Sequence, residues 1–390
     1  MYQKKISCLA LRAMVQELDM IDKPGLVTPK SNGSHTDMDY FLMRRGIRSL
    51  ETYFEKAFKL GFFKEPFFKV RNLGQRAERN MFRATAGVNT HMGAIFQLGI
   101  LVYLTGRIKS RGILIEKDNY QAEISKELED LKLNFLLKEK RSGARAEVAS
   151  AYQITFESLS YTSSDRLYFI ISKLMDTNIL RRGGEDLLAQ VQDLAKKSLK
   201  SQEAKGELRD IIEKNSLSPG GAADILINSF FIQTFLSYEK SYSNSLKAEI
   251  LATKEEVGAL GYQNKIILSL VFPGWIKTNE KFFKYYENYK KIYDKNFKLI
   301  KEINNQSGYR AIYDLGHADP VVVKLAAVEL EGNSLIDIDV YGETMVDRQA
   351  LDLPQRKCLI CDRPAKACMV MRAHDISEII AKSLEIINEN

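Results

Sequence analysis

The sequence lacks long hydrophobic runs and the signatures of several broad protein classes. No run of about 18 apolar residues occurs, which argues against a transmembrane helix. The N-terminus, Met1–Lys5 followed by an amphipathic pattern, has neither the apolar core nor the cleavage site of a signal peptide. The sequence as a whole has no RNA-recognition signature and no zinc-finger array. We therefore expect a cytoplasmic protein whose partners include neither a membrane nor a nucleic acid.

Cysteine is scarce, with four residues in 390, and it is unevenly placed. Cys8 stands alone in a predicted first helix, where we expect a core position. Cys358, Cys361 and Cys368 cluster near the C-terminus with His374. In a cytosolic chain such a set is metal-binding or reduced rather than disulfide-bonded. The residue types suit zinc but the spacing matches no common finger, so a structural zinc site and buried free thiols both remain open.

The bulk composition permits a large folded core. The chain has 390 residues, of which 45% are apolar, and this length predicts two domains. The net charge of +7 is moderate and spread along the chain. That charge is compatible with nucleotide substrates or an acidic protein partner, and equally with a basic protein that binds neither.

Hydrophobic spacing predicts an all-α domain over residues 1–238 and a smaller α/β or α+β domain over 246–390. The first domain has no alternating strand pattern, and one of its predicted helices runs from Ser34 to about Leu60. The polar stretch 237–245 is the predicted linker. The second domain has a predicted aromatic and lysine-rich helix over 280–303, a helical tail over 376–387, and strand candidates at 265–272, 309–313, 321–330 and 335–341.

Four short segments carry most of the chemical information, and three of them precede predicted helices. They are Gly33–Asp39, Gly87–Gly93, Gly143–Glu147 and Ser218–Asp224. A helix start offers free backbone N–H groups and a positive dipole end, and glycine allows a phosphate to come close. With their carboxylates and two histidines, these segments indicate a site for a polyphosphate and its metal. Taken singly, each could also be an ordinary helix cap or a surface ion pair.

The second domain contributes one further motif. Asp337 and Asp339 alternate along a predicted strand and therefore share one of its faces. Paired carboxylates of this kind serve metal-dependent phosphoryl and nucleotidyl transfer. An exposed strand face without a catalytic role is the plainer alternative.

Six segments of the first domain also occur, in the same order, in a known family. They are Lys23–Val27, Ser34–Asp39, Ala84–His91, Gly143–Glu147, Asp176–Asn178 and Ser218–Asp224. On these segments residues 20–236 resemble triphosphoribosyl-dephospho-CoA synthase. The resemblance implies an all-α enzyme that joins ATP to 3′-dephospho-CoA, forms 2′-(5″-triphosphoribosyl)-3′-dephospho-CoA and releases adenine.

The second domain carries a second set of matching segments. They include 272–274 with Lys277, then Lys324, Leu335–Val340, Arg348, Leu353–Cys361, Cys368, Arg372 and His374. On these segments residues 246–390 resemble citrate lyase holo-acyl-carrier-protein synthase, the apo-citrate lyase phosphoribosyl-dephospho-CoA transferase. That resemblance implies transfer of the prosthetic group to a serine of the citrate lyase acyl carrier protein, with release of pyrophosphate.

The resemblance and the residue types together assign roles to individual side chains. For the first reaction they predict His91 or Glu147 in proton transfer and Mg²⁺ on Asp37, Asp39 and Asp224. The predicted substrate and phosphate contacts are Lys23, His35, Asn89, Arg145, Asn178, Ser218, Gly220 and Gly221. For the second reaction they predict Asp337 and Asp339 as catalytic, with Lys277 and Arg356 binding the substrate.

Several positions depart from the two family patterns. Met92 replaces a usual lysine and Arg181 a usual histidine, while in the second domain Asn333–Ser334 replaces a Gly-Arg pair and Val370 an arginine. The lost cations leave open that only the first activity is live and that the second domain is a degenerate carrier-binding module. The paralogous synthase of malonate decarboxylase and a non-catalytic carrier scaffold are further alternatives.

Overall fold

The computed structural model describes residues 2–133, 143–270, 280–332 and 334–389. The chain divides into two compact units, Gln3–Glu239 and Lys240–Asn390, the latter grouped with the first two residues. Within the described ranges, no helix is both long enough and apolar enough to cross a membrane. The predicted fold class, an all-α part followed by a smaller mixed part, is confirmed.

The described elements of the first unit are helices. They are α1 Tyr2–Asp19, α2 Tyr40–Arg48, α3 Tyr53–Phe62, α4 Phe67–Ala84, α5 Met92–Ser110, α6 Lys117–Asp130, α7 Gly143–Ala149, α8 Gln153–Ser158, α9 Ser163–Lys173, α10 Thr177–Ser198, α11 Gln202–Lys214 and the start of α12 Gly220–Ala259. Helix α10 is kinked at Gly184, which has φ 75°.

Helix α5 is the central element of this unit, because almost every residue from Ala94 to Ser110 is buried. Helix α3 crosses it at very short range. A Cβ added at Gly61 would overlap the backbone carbonyl of Tyr103, and one added at Gly106 would overlap the carbonyl of Phe58. Glycine at the crossing therefore allows backbone-to-backbone packing, which holds the C-terminal half of α5 against α3.

Two predictions for the first unit are wrong: Cys8, expected in the core, is exposed on α1, and the single helix predicted from Ser34 to about Leu60 is two helices, α2 and α3. The helix predicted from Ser34 begins instead at Tyr40, because Asp39 is extended and its Oδ1 accepts a hydrogen bond from Leu42 N at 2.7 Å. The predicted linker at 237–245 contains the boundary between the two units, between Glu239 and Lys240, and the whole of it is helical, because α12 continues to Ala259. That stretch is polar but contains no glycine or proline, so nothing in it interrupts a helix.

The second unit is built on a five-stranded antiparallel sheet with the order β2-β3-β1-β4-β5. Its elements after α12 are β1 Lys265–Leu270, α13 Glu280–Asn296, β2 Lys298–Asn305, β3 Gly308–Asp314, α14 Pro320–Glu331, β4 Ile336–Tyr341, β5 Met345–Val346, α15 Ala365–Met371 and α16 Ile376–Glu389. Strand β1 is central, and its Leu268 pairs with Ala311 on β3 and Ile338 on β4. The strands predicted near 265, 309 and 335 and the helical tail are confirmed.

The strand predicted at 321–330 is wrong, because this segment forms helix α14. Asp319 caps it through Val321 N at 2.8 Å, and Pro320 occupies the first turn. This cap and proline outweigh the run of valines that favoured a strand. The helix predicted over 280–303 ends at Asn296, and its last part belongs to β2.

Candidate active sites

The first candidate site lies where the loop after α1 meets the segment before α12. His35 Nε2 is 2.8 Å from Ser218 Oγ. A Cβ added at Gly25, which has φ +73°, would collide with the Leu217 carbonyl and approach Pro219 Cδ to 3.3 Å. Two of the predicted segments, far apart in sequence, are therefore in direct contact, and the positive φ explains why one of them needs glycine.

Asp176 joins the starts of α10 and α12. Its Oδ1 accepts hydrogen bonds from Asn178 N at 2.8 Å and Ile179 N at 3.4 Å, while Oδ2 accepts one from Ala222 N at 3.2 Å. Asp176 is buried, which raises the pKa of its carboxyl. One carboxylate therefore caps two helices and holds their N-termini side by side.

Gly220 and Gly221 lie directly beside this double cap. A Cβ added at Gly220 would be 3.0 Å from Asn178 Nδ2, and one added at Gly221 would be 3.0 Å from Asp176 Oδ2. A larger residue at either position would press on the groups that align the two helix starts. The unusual pair of glycines in the first turn of α12 is thus explained by close packing at the site.

His91 precedes α5 and is buried. Its Nδ1 is 2.8 Å from Thr90 Oγ1, whereas its Nε2 is buried and has no hydrogen-bond partner among the described residues. Burial and the nearby Lys23 ammonium lower the pKa of His91 to about 3. The imidazole is therefore neutral at ordinary pH. A Cβ added at Gly46 would overlap Thr90 Oγ1.

Buried charge accumulates around this histidine. Lys23 Nζ pairs with Glu17 Oε1 at 2.6 Å, and both side chains are almost fully buried. Asp224 is half-buried with its carboxylate over Gly93 at the start of α5. Burial, Glu17 and Asp176 together raise the pKa of Asp224 well above its usual range. A substrate cation or proton would relieve this excess of carboxylates.

Glu147 is the second titratable group in the unit that suits proton transfer. It is buried in α7, and its Oε1 accepts hydrogen bonds from Thr155 N at 2.8 Å and Thr155 Oγ1 at 2.7 Å. Burial raises the pKa of its carboxyl. Glu147 lines a cavity of about 220 Å³ together with Gly143, Lys173 and Met175. The neighbouring Arg145 is exposed.

The cavity borders the start of α10, since a Cβ added at Gly143 would lie 3.2 Å from Thr177 Cγ2. Asn178 follows directly on the same helix and meets Gly220. Asn89 accepts a hydrogen bond from Met92 N at 3.1 Å through its Oδ1. Asn89 therefore supplies the acceptor for the first N–H group of α5, whereas the hydroxyl of Thr90 pairs with His91.

The three carboxylates predicted as Mg²⁺ ligands do not form one group. Asp37 is exposed, with its Oδ1 3.6 Å from His35 Nδ1, and Asp39 is held as the cap of α2. Asp224 lies instead near Glu17 and Asp176. In the described ranges, the C-terminal cysteines and histidine are the one group of three or more such residues that could hold a metal ion. The set of three is thus corrected, because capping and burial hold its members apart.

The second candidate site lies on β4. Asp337 and Asp339 share one face of the strand, as predicted, opposite Ser269 and Ile267 of β1. Arg356 donates from Nη1 to Asp337 Oδ1 at 3.3 Å. Burial and the neighbouring Asp337 raise the pKa of Asp339 to about 6. The pair therefore includes one carboxylate, Asp339, that titrates close to neutrality.

Strand β5 pairs only with Val340 and Tyr341 of β4, and side chains make the hydrogen bonds to the backbone along the rest of that edge. Glu331 Oε1 accepts from Ile338 N at 2.9 Å, and Lys324 Nζ donates to Ile338 O at 2.6 Å. Arg356 donates to Ile336 O at 2.8 Å, and Arg348 donates to Glu331 Oε2 at 2.7 Å. These bonds satisfy the strand's backbone and place cations behind the carboxylates.

The remaining predicted residues fall in two places. Lys277 lies outside the described residues, as do the matching residues 272–274. Four side chains, here called the cysteine–histidine cluster, bring their sulfur and ring nitrogen atoms within 4.8 Å of one another: Cys358, Cys361, Cys368 and His374.

Sequence reasoning missed Glu17, Asp176, Arg182 and Glu331 as site residues. Asp176 stood inside a matched segment, immediately before a helix, and a cap could have been inferred there. Glu17 and Glu331 had no local signal, since their importance comes from partners that only folding brings close. Arg182 sits near enough to His35 to contribute to the lowering of its pKa, which is mainly due to burial.

Known families match both units. Residues 3–136 and 121–243 match the family model for ATP:dephospho-CoA triphosphoribosyl transferase. Residues 249–390 match the model for apo-citrate lyase phosphoribosyl-dephospho-CoA transferase.

Individual relatives agree with these matches. A probable 2-(5″-triphosphoribosyl)-3′-dephosphocoenzyme-A synthase of Acinetobacter calcoaceticus is 31% identical over 274 residues, covering 62% of this chain and 93% of that protein. Its counterpart in Albidiferax ferrireducens is 32% identical over 270 residues, covering 58% and 89%. Protein CitXG of Leuconostoc mesenteroides subsp. cremoris is 31% identical over 278 residues, covering 60% and 59%. The chain thus belongs to the ATP:dephospho-CoA triphosphoribosyl transferase family and carries, in its second unit, a domain of the apo-citrate lyase phosphoribosyl-dephospho-CoA transferase family.

Proposed function

We propose that this chain makes the prosthetic group of citrate lyase and attaches it. The first unit converts ATP and 3′-dephospho-CoA to 2′-(5″-triphosphoribosyl)-3′-dephospho-CoA and adenine. The second unit transfers the phosphoribosyl-dephospho-CoA group to a serine of the citrate lyase acyl carrier protein and releases pyrophosphate. The observation that carries the proposal is the presence of both family domains in one chain, since the product of the first reaction is the substrate of the second.

The first reaction is a glycosyl transfer at ribose C1′ of ATP. The bond from C1′ to adenine breaks, and the 2′-hydroxyl of dephospho-CoA forms the new bond through an oxocarbenium-like transition state. Glu147 is our candidate for the acid that protonates the leaving adenine, because burial keeps its carboxyl protonated to higher pH. The proton released by the attacking hydroxyl restores it. Neutral His91 acts as a hydrogen-bonding group through Nε2 rather than as an acid.

The triphosphate must be held without being hydrolysed. We assign this task to the backbone N–H group of Gly220, aligned with the start of α10 by Asp176, and to His35, Ser218 and Asn178 around it; the N–H group of Gly221 is directed at Asp176 instead. Asp37 and Asp39 offer carboxylate oxygens on the adjoining loop, which suits Mg²⁺ held by one or two carboxylates and by substrate phosphates. The ion would neutralise phosphate charge there.

In the second reaction the serine hydroxyl of the carrier attacks the α-phosphorus, and pyrophosphate leaves. Asp339 is our candidate for accepting the serine proton, since its pKa of about 6 leaves it ionised at neutral pH yet basic enough to act. Asp337 remains paired with Arg356 and would share a metal ion with Asp339. The alternative of a degenerate carrier-binding module receives no support from the family matches. We also propose a cytoplasmic location, in keeping with free thiols and an ATP substrate.

Two variants should separate the activities. Asp37→Asn should stop adenine release while still labelling the carrier when preformed triphosphoribosyl-dephospho-CoA is supplied. Asp339→Ala should release adenine at the normal rate and fail to add mass to the carrier. Adenine is measured by chromatography and carrier mass by mass spectrometry. Loss of both activities in either variant, with the chain still folded, would argue against two separate sites.

A further inference from the structure

The cysteine–histidine cluster has the ligand set and the spacing of a metal site. Cys361 Sγ lies 3.6 Å from Cys368 Sγ and 3.4 Å from His374 Nε2. Zinc bonds of about 2.3 Å to sulfur and 2.0–2.1 Å to nitrogen imply tetrahedral edges of about 3.8 Å between two sulfurs and about 3.6 Å between sulfur and nitrogen. The observed separations therefore already match the edges of a tetrahedral zinc site.

The backbone around the first two cysteines is shaped to hold them. Cys358 N donates to Arg363 O at 2.9 Å, and Lys357 pairs with Pro364 in a β-bridge, so the chain folds back tightly over this turn. Ile360 N points at Cys358 Sγ at 3.5 Å, and Arg363 Nε at Cys361 Sγ at the same distance. These N–H groups hold the two sulfur atoms in place, as outer hydrogen bonds do for the ligands of a metal ion.

The other two ligands come from the end of α15. Cys368 is on the helix, and Arg372 terminates it in the left-handed conformation with φ 47°. Ala373 N then donates to Cys368 O at 3.0 Å, which turns the chain back and brings His374 toward the cysteines. A non-glycine residue in this conformation costs free energy, and a metal bond to His374 would offset that cost.

The segment that carries the cluster has almost no core of its own. From Glu343 to Ile376, all of it described, Cys368 is the one residue that is buried. A stretch of this length without buried apolar side chains needs another source of stability, and structural zinc supplies it in small motifs. A disulfide would use only two of the three thiols and leave the histidine without a role.

We propose that the cysteine–histidine cluster binds one structural Zn²⁺ ion. The ion fixes the segment from which Arg356 reaches Asp337 at 3.3 Å and the carbonyl of Ser334 at 2.7 Å. Lys366, on the same segment, lies near Asp339. The zinc is therefore a positioning element for the carboxylate pair; this consequence, unlike metal binding itself, rests on the proposed second activity.

The test begins with metal content. The full chain, purified without metal-affinity resin or chelator, should contain about one zinc per molecule by mass spectrometry of the metal. Cys361→Ser should reduce bound zinc to background, whereas Cys8→Ser, in the other unit, should leave it unchanged. Cobalt substituted for zinc should give a thiolate-to-cobalt charge-transfer band and the d–d absorption of a tetrahedral ion.

A second measurement keeps the proposal testable if Cys361→Ser does not fold. An organomercurial added stepwise to the wild-type chain should release zinc to a colorimetric chelator as three of the four thiols react. In Cys8→Ser the only thiols are the three of the cluster, so zinc release should parallel the reaction of every thiol. A chain that holds no zinc after incubation with excess Zn²⁺, or that holds iron or a disulfide at these cysteines, would overturn the proposal. Zinc content is independent of carrier labelling, so the two proposals can fail separately.

Discussion

Asp176→Ala should destabilise the first unit and impair adenine release, although Asp176 was not among the predicted site residues. The change removes the cap of α10, worth about 1 kcal/mol, and leaves Ala222 N without its acceptor, worth about another 1 kcal/mol. A loss of about 2 kcal/mol lowers the melting temperature of a unit of this size by roughly 4–8 °C. Adenine release should fall by at least about tenfold, because Asn178 and Gly221 lose their alignment.

Calorimetry and far-ultraviolet circular dichroism measure the stability, and chromatography measures adenine. Asp319→Ala is a matched control, since Asp319 makes the same two-amide cap, at 2.8 and 3.4 Å, on the single helix α14. It should cost about 1 kcal/mol and leave adenine release unchanged. Asp176→Asn retains one acceptor oxygen and should fall between the wild type and Asp176→Ala. If Asp176→Ala costs no more than the control and releases adenine normally, the double cap has no functional role.

Four further predictions rest on burial, charge and close packing. Glu147→Gln should slow adenine release about 10²- to 10⁴-fold with little change in unfolding; a wild-type rate would exclude it as the acid. Carrier labelling should rise with pH through about 6 as Asp339 ionises, and Asp337→Asn should move that midpoint lower by removing a nearby negative charge; an unmoved profile in steady-state kinetics would refute this. The same raised pKa means that the contribution of Asp339 to stability is greatest below its unfolded pKa and is lost as pH rises through 6. Gly46→Ala should disturb the first site, whereas Gly206→Ala, with open space at its Cβ, should stabilise α11 by about 0.5–1 kcal/mol; equal effects in thermal melts and adenine assays would contradict this contrast.

The helical character of the first unit could be predicted from the sequence, because the 3.6-residue spacing of apolar residues is a local pattern that matches the buried faces of its helices. It failed where two local signals competed. The valines at 321–323 favour a strand, yet Asp319 and Pro320 begin a helix that then packs on β4. The polar stretch at 237–245 resembles a linker in composition, but α12 continues through it because polarity alone does not end a helix.

The sequence indicated which segments form the candidate sites better than it indicated what each side chain does there. The segments around His35 and Ser218 are in contact, as expected, through a hydrogen bond between the two side chains. The Mg²⁺ set failed as a group, since the sequence cannot show that Asp39 is a cap or that Asp224 lies beside Glu17. The neutrality of His91 likewise depends on burial and on Lys23, which no local pattern reveals.

One chain that carries out two consecutive transfers should perform both of them in a single coupled assay. The purified full chain is mixed with ATP, Mg²⁺ and 3′-dephospho-CoA, and adenine is measured; apo acyl carrier protein of citrate lyase is then added and its mass followed. We expect adenine release first and then a carrier mass gain equal to one phosphoribosyl-dephospho-CoA group. Adenine without a mass gain would refute the role of the second unit, and no adenine at all would refute the proposed function.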